Sequence, residues 1–161
     1  MKLAESQRAL ELAYRFLSRR ERTVEELRQH LLAREVDEAA ARQVIEDLVE
    51  QGSLDDARFA RLFVQDKRAL EQWGIERIRR GLLARGVERA LIDDVLTAAA
   101  STAEGDTELD RAVGLLQQRI PWPPQGRRER ERALGLLLRK GYAPELALDA
   151  LRAYARNDKA A

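Results

Sequence analysis

Val24-Glu25-Glu26-Leu27-Arg28-Gln29-His30-Leu31-Leu32-Ala33-Arg34 is the stretch that decides the fold, because the chain repeats it. Ile75, Ile78, Leu82, Leu83, Ala84 and Arg85 take the places of Val24, Leu27, Leu31, Leu32, Ala33 and Arg34 at one constant offset. Ala133, Leu137, Leu138, Arg139 and Lys140 give the end of the pattern a third time. Apolar residues three and four apart share one helix face, so each copy predicts an amphipathic helix. Return of such a unit at an interval of about 50 residues marks a repeat architecture.

The flanking segments repeat in step. Downstream, Val44 and Ile45 match Val95 and Leu96, then Ala150 and Leu151. Upstream, Ala13, Phe16 and Leu17 match Ala60, Phe63 and Val64, then Ala112, Leu115 and Leu116. The loop after this first helix of each unit lengthens, through Arg68 to Gly74 and then Ile120 to Arg128. No window alternates apolar and polar residues long enough for a strand. The expectation is an all-α chain of three tandem three-helix repeats, 8–52, 53–101 and 107–156, with flexible ends at 1–7 and 157–161. Units this small bury their apolar stripes partly against neighbours, which predicts an elongated, curved array.

Helix punctuation agrees. Thr23 with Glu26 forms a capping box, and Ser53 with Asp56, directly after Gly52, predicts another. Gly86 and Gly141 stand where a second helix should end in a left-handed residue, and Glu35 departs from this in the first unit at some cost to that turn. Pro144 suits a first helical position, and Pro121, Pro123 and Pro124 define the longest internal loop.

Composition removes most chemistries. The 161 residues contain no cysteine and one histidine, which excludes disulfides, thiol catalysis and cysteine-ligated metal, and leaves little for a His-based metal site or a Ser-His triad. Net charge is +1, from 29 basic and 28 acidic side chains, so a polyanion-binding surface must come from local segregation. Arginines greatly outnumber the lysines Lys2, Lys67, Lys140 and Lys159; Arg suits bidentate contact with phosphate or carboxylate, although genomic base composition produces the same skew. No apolar run is long enough to span a membrane, and Met1 to Arg8 lacks a signal-peptide core, so the cytoplasm is the expected compartment.

The candidate sites each have a plainer reading. Asp55 and Asp56, in Leu54-Asp55-Asp56-x-x-Phe59-Ala60, would need more converging oxygens to hold Mg²⁺, and capping a helix start suits them better. Asp93-Asp94 reads as a solvated helix face, and His30, on a polar side with no second imidazole, as neither catalytic nor metal-binding. Trp73 and Trp122 fall in corresponding loops, where helix-junction packing is favoured over base stacking. The second-to-third helix turn resembles a helix-turn-helix, but Asp37, Glu38 and Ala39 would face phosphate badly. The basic residues form two patches: Arg77, Arg79, Arg80, Arg85 and Arg89 in the second unit, and Arg127, Arg128, Arg130, Arg132, Arg139 and Lys140 in the third. A salt-bridged, solvated face competes with phosphate or acidic protein as their explanation. The rise in net charge along the chain is too mild to imply tight autonomous DNA binding.

Leu54-Asp55-Asp56-x-x-Phe59-Ala60, Trp73-Gly74 and Ile78-x-x-x-Leu82-x-x-Arg85-Gly86-Val87 resemble the central repeat of the RecX regulatory family. Ala9-Leu10 through Arg19, with Glu26-Leu27-Arg28-x-x-Leu31, is similar to that family's first repeat, and Arg132-Ala133 through Gly141-Tyr142 to its third. The resemblance covers about residues 8 to 155, and Glu35 stands where the family usually has Gly. It implies a cytoplasmic, non-enzymatic monomer without cofactor or metal. Such a protein would bind the RecA filament on single-stranded DNA and lower its ATPase, strand-exchange and coprotease activities, within DNA repair, recombination and the SOS response. The two basic patches would supply its contacts to RecA or DNA. The alternative is a helical-repeat protein acting directly on DNA without RecA.

Overall fold

The structure, a computed structural model, describes residues 2–101 and 106–159. Those residues form nine α-helices and no strand: α1 (Lys2–Leu17), α2 (Val24–Leu32), α3 (Glu38–Glu50), α4 (Asp56–Ala69), α5 (Ile75–Ala84), α6 (Arg89–Ser101), α7 (Glu108–Arg119), α8 (Arg127–Lys140) and α9 (Pro144–Lys159). The all-α expectation holds.

The described residues divide into two compact units, one within 1–62 and 82–92, the other within 63–81 and 93–161. In the first, α1, α2 and α3 pack on one another around Ala9, Ala13, Leu27, Leu31, Val44 and Leu48. In the second, α7, α8 and α9 do the same around Ala112, Leu115, Leu116, Leu137, Ala147 and Ala150. The repeat-equivalent pairs Ala13 and Ala112, and Leu31 and Leu137, are each completely buried, whereas Phe16 and Leu17 are less buried than Leu115 and Leu116. Complete burial of a leucine such as Leu27 or Leu137 contributes about 1.5–3 kcal/mol.

Both ends are more helical than expected. α1 begins at Lys2, so the lead-in at 1–7 is helical wherever it is described. The Glu5 carboxylate accepts from the Asp37 N–H at 3.4 Å, and Ala9 is completely buried. α9 runs to Lys159, because nothing after Arg156 interrupts propagation at one hydrogen bond per added residue. Met1, Ala160 and Ala161 lie outside the described residues.

The caps follow the sequence with one change. Thr23 and Glu26 form the capping box of α2. Ser53 does not cap α4; the Asp55 carboxylate accepts from the Arg58 N–H at 3.0 Å instead. Ser53 is too early for that role, because its own N–H is used in closing α3, donating to the Leu48 carbonyl. α9 starts at Pro144, and a loop of residues 120–126 carries the other three prolines.

A recurrent joint positions the second helices. In the first unit the buried Thr23 hydroxyl, at the start of α2, donates to the Arg85 carbonyl at the end of α5, 2.6 Å away. The Val24 N–H donates to the Asp56 carboxylate at 2.9 Å, so a helix that follows in sequence caps one that precedes it. In the second unit the Gly74 N–H, at the start of α5, donates to the Lys140 carbonyl at the end of α8, 2.7 Å away. There the Ile75 N–H donates to Glu108 at 2.8 Å. Each joint sets the positive end of one helix dipole against the negative end of another, and the orphan carbonyl is satisfied by the Thr23 hydroxyl in the first and by the Gly74 N–H in the second.

The glycines at these joints carry two constraints. Gly86 (φ +78°) and Gly141 (φ +93°) are left-handed, and a Cβ on either would fall 2.4 Å from the Glu25 Cβ or 2.2 Å from the Arg77 Cβ. Glu35 holds the same left-handed conformation, φ 61°, but is exposed. The Arg34 carbonyl beside it accepts from the Arg8 guanidinium of α1 at 3.0 Å instead of from the first turn of a further helix. Gly52, at φ +73°, has open space around it. Gly52→Ala should cost about 1 kcal/mol for the left-handed backbone alone, whereas Gly86→Ala adds an overpacking penalty and should cost about 2–4 kcal/mol. Urea denaturation of the two variants measures the difference, and equal losses would mean that the joint yields freely.

Candidate partner-binding surface

The sequence-predicted basic residues separate by what they touch. Arg77 lies with its guanidinium carbon 4.2 Å from the Trp73 ring centroid and donates to the Arg139 carbonyl at 3.0 Å. The Lys67 ammonium is 4.6 Å from the Trp73 ring centroid, and Phe63 meets Trp73 edge-on at 6.2 Å. Lys140 donates to the Glu71 carbonyl at 2.7 Å. Arg77 and Lys140 are thus parts of the α5–α8 joint. Arg79 pairs with Asp93 on α6, and Arg85 lies 3.9 Å from Glu26 while its carbonyl receives Thr23.

The remaining predicted cations face solvent. Arg80 and Arg89 are exposed, as is Arg139. On α8, Arg127 pairs with Glu131 at 2.9 Å, both largely solvated, an arrangement worth only about 0.3–0.5 kcal/mol. Arg128, Arg130 and Arg132 are exposed and have no ion pair among the described residues. They occupy the first half of a 14-residue helix whose cap, Gly126, supplies no side-chain acceptor. Cations there oppose the helix dipole, so helix stability does not explain them. Arg127 and Arg130 also line an apolar groove with Leu134, Leu148, Leu151 and Arg152. Arg127 and Lys140 are about 20 Å apart along the helix, so the third-unit patch is two clusters at opposite ends of α8.

Trp73 and Trp122 differ. Trp73 is half-buried as expected, but Trp122 is 77% exposed. The prolines pack in its place: Pro123 and Pro124 are buried, and the restricted backbone around them leaves the indole outside.

Sequence reasoning overlooked a further basic cluster. Arg15, Phe16, Arg19, Arg22, His30 and Arg34 line one concavity in the first unit. His30 stacks on Phe16 at 3.7 Å between centroids, Arg22 lies 4.2 Å from the same Phe16 centroid, and an Arg34 N–H donates to His30 Nδ1 at 3.1 Å. A donor from Arg fixes Nδ1 as an acceptor, so the imidazole is neutral with its proton on Nε2. Burial, then Arg34, Arg22 and Arg19, hold the His30 pKa below its ordinary value. The spacing of Leu12, Arg15 and Arg19 was legible on one helical face, but His30 and Arg34 join only through tertiary packing.

The carboxylates serve the fold. Asp55 and Asp56 cap α4 and α2 respectively. Burial raises the Asp56 pKa, the Val24 N–H opposes that shift, and Asp55, Glu26 and Glu88 add to it. Asp37 caps α3, accepting from the Ala39 N–H at 3.0 Å, and Glu38 pairs with Arg28. Among the described residues no group of three or more His, Asp or Glu side chains could hold a metal ion, and no helix is long and apolar enough to cross a membrane.

Residues 9–48 match the family model of the first three-helix domain of RecX, and residues 55–96 that of its second. The regulatory protein RecX of Leptothrix cholodnii is 32% identical over 140 residues, covering 87% of this chain and 85% of that one. That of Halorhodospira halophila is 34% identical over 160 residues, covering 97% and 94%. The chain belongs to the RecX family. The crystal structure of RecX from Lactobacillus salivarius superposes with a TM-score of 0.81 at 17% identity, covering 94% of this chain and 97% of the other, which shows the RecX fold. Among the residues that carry the family resemblance, Gly86 and Gly141 are required by the joints, and Asp56 by the cap of α2.

Two measurements probe these assignments. Asp56→Asn keeps an acceptor for the Val24 N–H and removes a half-buried charge, so stability at pH 7 should hold or rise, whereas Asp56→Ala should lose about 1 kcal/mol. Chemical denaturation compares them. For His30, the folded-state pKa lies below the unfolded value of 6.5. Its contribution to stability is therefore complete above pH 6.5 and lost as pH falls from there through the folded value. His30→Gln should flatten the dependence of Tm on pH over that window, and an unchanged slope would assign it to other groups.

Proposed function

We propose that this RecX-family protein binds the RecA filament on single-stranded DNA and inhibits its ATPase, strand-exchange and coprotease activities without catalysing a reaction itself. Membership of the family supports this reading. The observation in the fold that supports it is α8, where Arg128, Arg130 and Arg132 are exposed without an ion pair among the described residues and Arg130 also lines the apolar α8–α9 groove. An interface needs apolar contact area for affinity and complementary charge for encounter and register, and this face offers both. The three repeats, 8–52, 53–101 and 107–156, would engage neighbouring RecA protomers from a cytoplasmic monomer. Holding those protomers together would restrain the movements of the ATPase cycle, whereas occupation of a filament end would stop growth.

The predicted patch narrows under this reading. Arg80, Arg89, Arg127, Arg128, Arg130, Arg132 and Arg139 remain as contacts, because Arg77, Arg79, Arg85 and Lys140 are tied to other elements, whereas the partners of Arg80 and Arg127 lie on their own helices. Arg128→Glu/Arg130→Glu/Arg132→Glu should therefore weaken inhibition by at least tenfold in the protein concentration required, with stability unchanged or slightly higher. RecA ATP hydrolysis on single-stranded DNA, titrated with each protein, measures this. Adding the protein before or after filament assembly separates end-blocking from binding along the filament. No inhibition by the folded parent protein would reject the proposal, and full inhibition by the triple variant would move the interface elsewhere.

A further inference from the structure

The first unit contains a concentration of positive charge that internal pairing does not explain. Arg28 and Arg58 in that unit have carboxylate partners, Glu38 at 3.0 Å and Glu21 at 3.2 Å. Arg15, Arg19, Arg22 and Arg34 line a common concavity and have no ion pair among the described residues. The Arg22 Nε is buried and has no acceptor there. Burial lowers the Arg22 pKa first, and Arg20 and Arg19 lower it further against the opposing Glu26.

Two of the arginines are held in place. Arg22 rests over Phe16, whose ring also stacks on His30. Arg34 is fixed by His30 Nδ1, and the Arg8 guanidinium approaches the Arg34 carbonyl from α1. Ordering like charges in advance removes part of the entropy cost of binding an anion. We infer that this arginine cluster, between the end of α1 and α2, is a binding site for the phosphodiester backbone of single-stranded nucleic acid.

The chemistry of the concavity selects that ligand. Guanidinium forks match phosphate oxygens bidentately, and four of them suit a chain of regularly spaced anions. A protein partner would need apolar anchors at the centre of the contact. Phe16, the phenyl ring in this lining, is already engaged by His30 and Arg22. The same engagement removes the usual platform for base stacking, so the site reads the backbone and not the sequence.

The only histidine of the chain lies within the site and serves as its reporter. His30 faces Arg15, Arg19, Arg22 and Arg34 across the concavity, and Glu25, Glu26 and Arg85 line the space on its other side. A phosphate that takes over the Arg34 guanidinium releases His30 Nδ1 and favours the imidazolium. By linkage, nucleic acid should then bind more tightly as pH falls through the titration of His30.

The test uses the full chain with no recombinase present, so its result is independent of the RecA reading. Fluorescein-labelled oligo(dT) of about 12 nucleotides, within the site size of single-strand binders, is titrated by anisotropy over a range of salt. Arg19→Gln/Arg34→Gln should bind at least tenfold more weakly, and the log–log salt slope should fall by about 0.7 for each phosphate that is no longer neutralised. Arg42→Gln, on α3 and outside the concavity, should bind as the parent does. In parallel, the His30 imidazole is followed by NMR, and its pKa should rise when the oligonucleotide is added. Thermal melting confirms that both variants are folded. Parent-like affinity and salt slope in the double variant, with the His30 signal unmoved by oligonucleotide, would overturn the assignment. So would displacement of the oligonucleotide by an equal concentration of poly-glutamate, which would make the cluster a site for acidic protein.

Discussion

The contact on which the rest depends is the one in which the first turn of a second helix rests on the glycine-capped end of another. At Thr23–Arg85 and at Gly74–Lys140, a hydroxyl and a backbone N–H reach orphan carbonyls at 2.6 and 2.7 Å. Leaving either side buried and unpaired would cost about 1–3 kcal/mol per group. The joint therefore specifies geometry more strictly than apolar packing between helices, which tolerates shifts in register. It also explains why carboxylates from later helices are needed at both places. Asp56 and Glu108 each take an N–H, of Val24 and of Ile75, that the joint leaves over.

Much of this organisation was legible because it is local or repeated. The helices, the Thr23 capping box, Pro144 and the left-handed glycines each leave a signature within a few residues. The repeat spacing then placed equivalent cores together, as the burial of Leu31, Leu82 and Leu137 shows. What the sequence concealed depends on distant partners. Asp56 looked like a cap for its own helix, but Asp55 has that role and Asp56 reaches back to Val24. Trp122 and Trp73 occupy similar loop positions, yet only Trp73 has Lys67 and Arg77 against it.

Distant partners also sort the arginines. Charge spacing along a helix groups Arg77 with Arg80, but tertiary structure separates them: Arg77 supports a joint, and Arg80 is exposed. Sorting by partner leaves arginines that stabilise the fold, arginines that pair on the surface for little energy, and arginines left uncompensated by an ion pair among the described residues. The uncompensated groups, on α8 and between α1 and α2, raise the electrostatic energy of the folded chain. A slightly basic protein with 28 acidic side chains had enough of them to neutralise these groups. Their placement elsewhere, capping helices and pairing other arginines, keeps the two surfaces positive without a large net charge.

Glu35 has an implication for how such a chain lengthens by duplication. An added unit ahead of the first would have to seat its second helix on the end of α2, as α2 does on α5. There it would meet a Cβ at a left-handed residue and a carbonyl already taken by Arg8. A helix seated there as α2 is on α5 would need a glycine at position 35 and an Arg34 carbonyl released by Arg8. The end of α2 thus differs from the ends of α5 and α8: its carbonyl is held by a side chain of α1, not by the start of a further second helix.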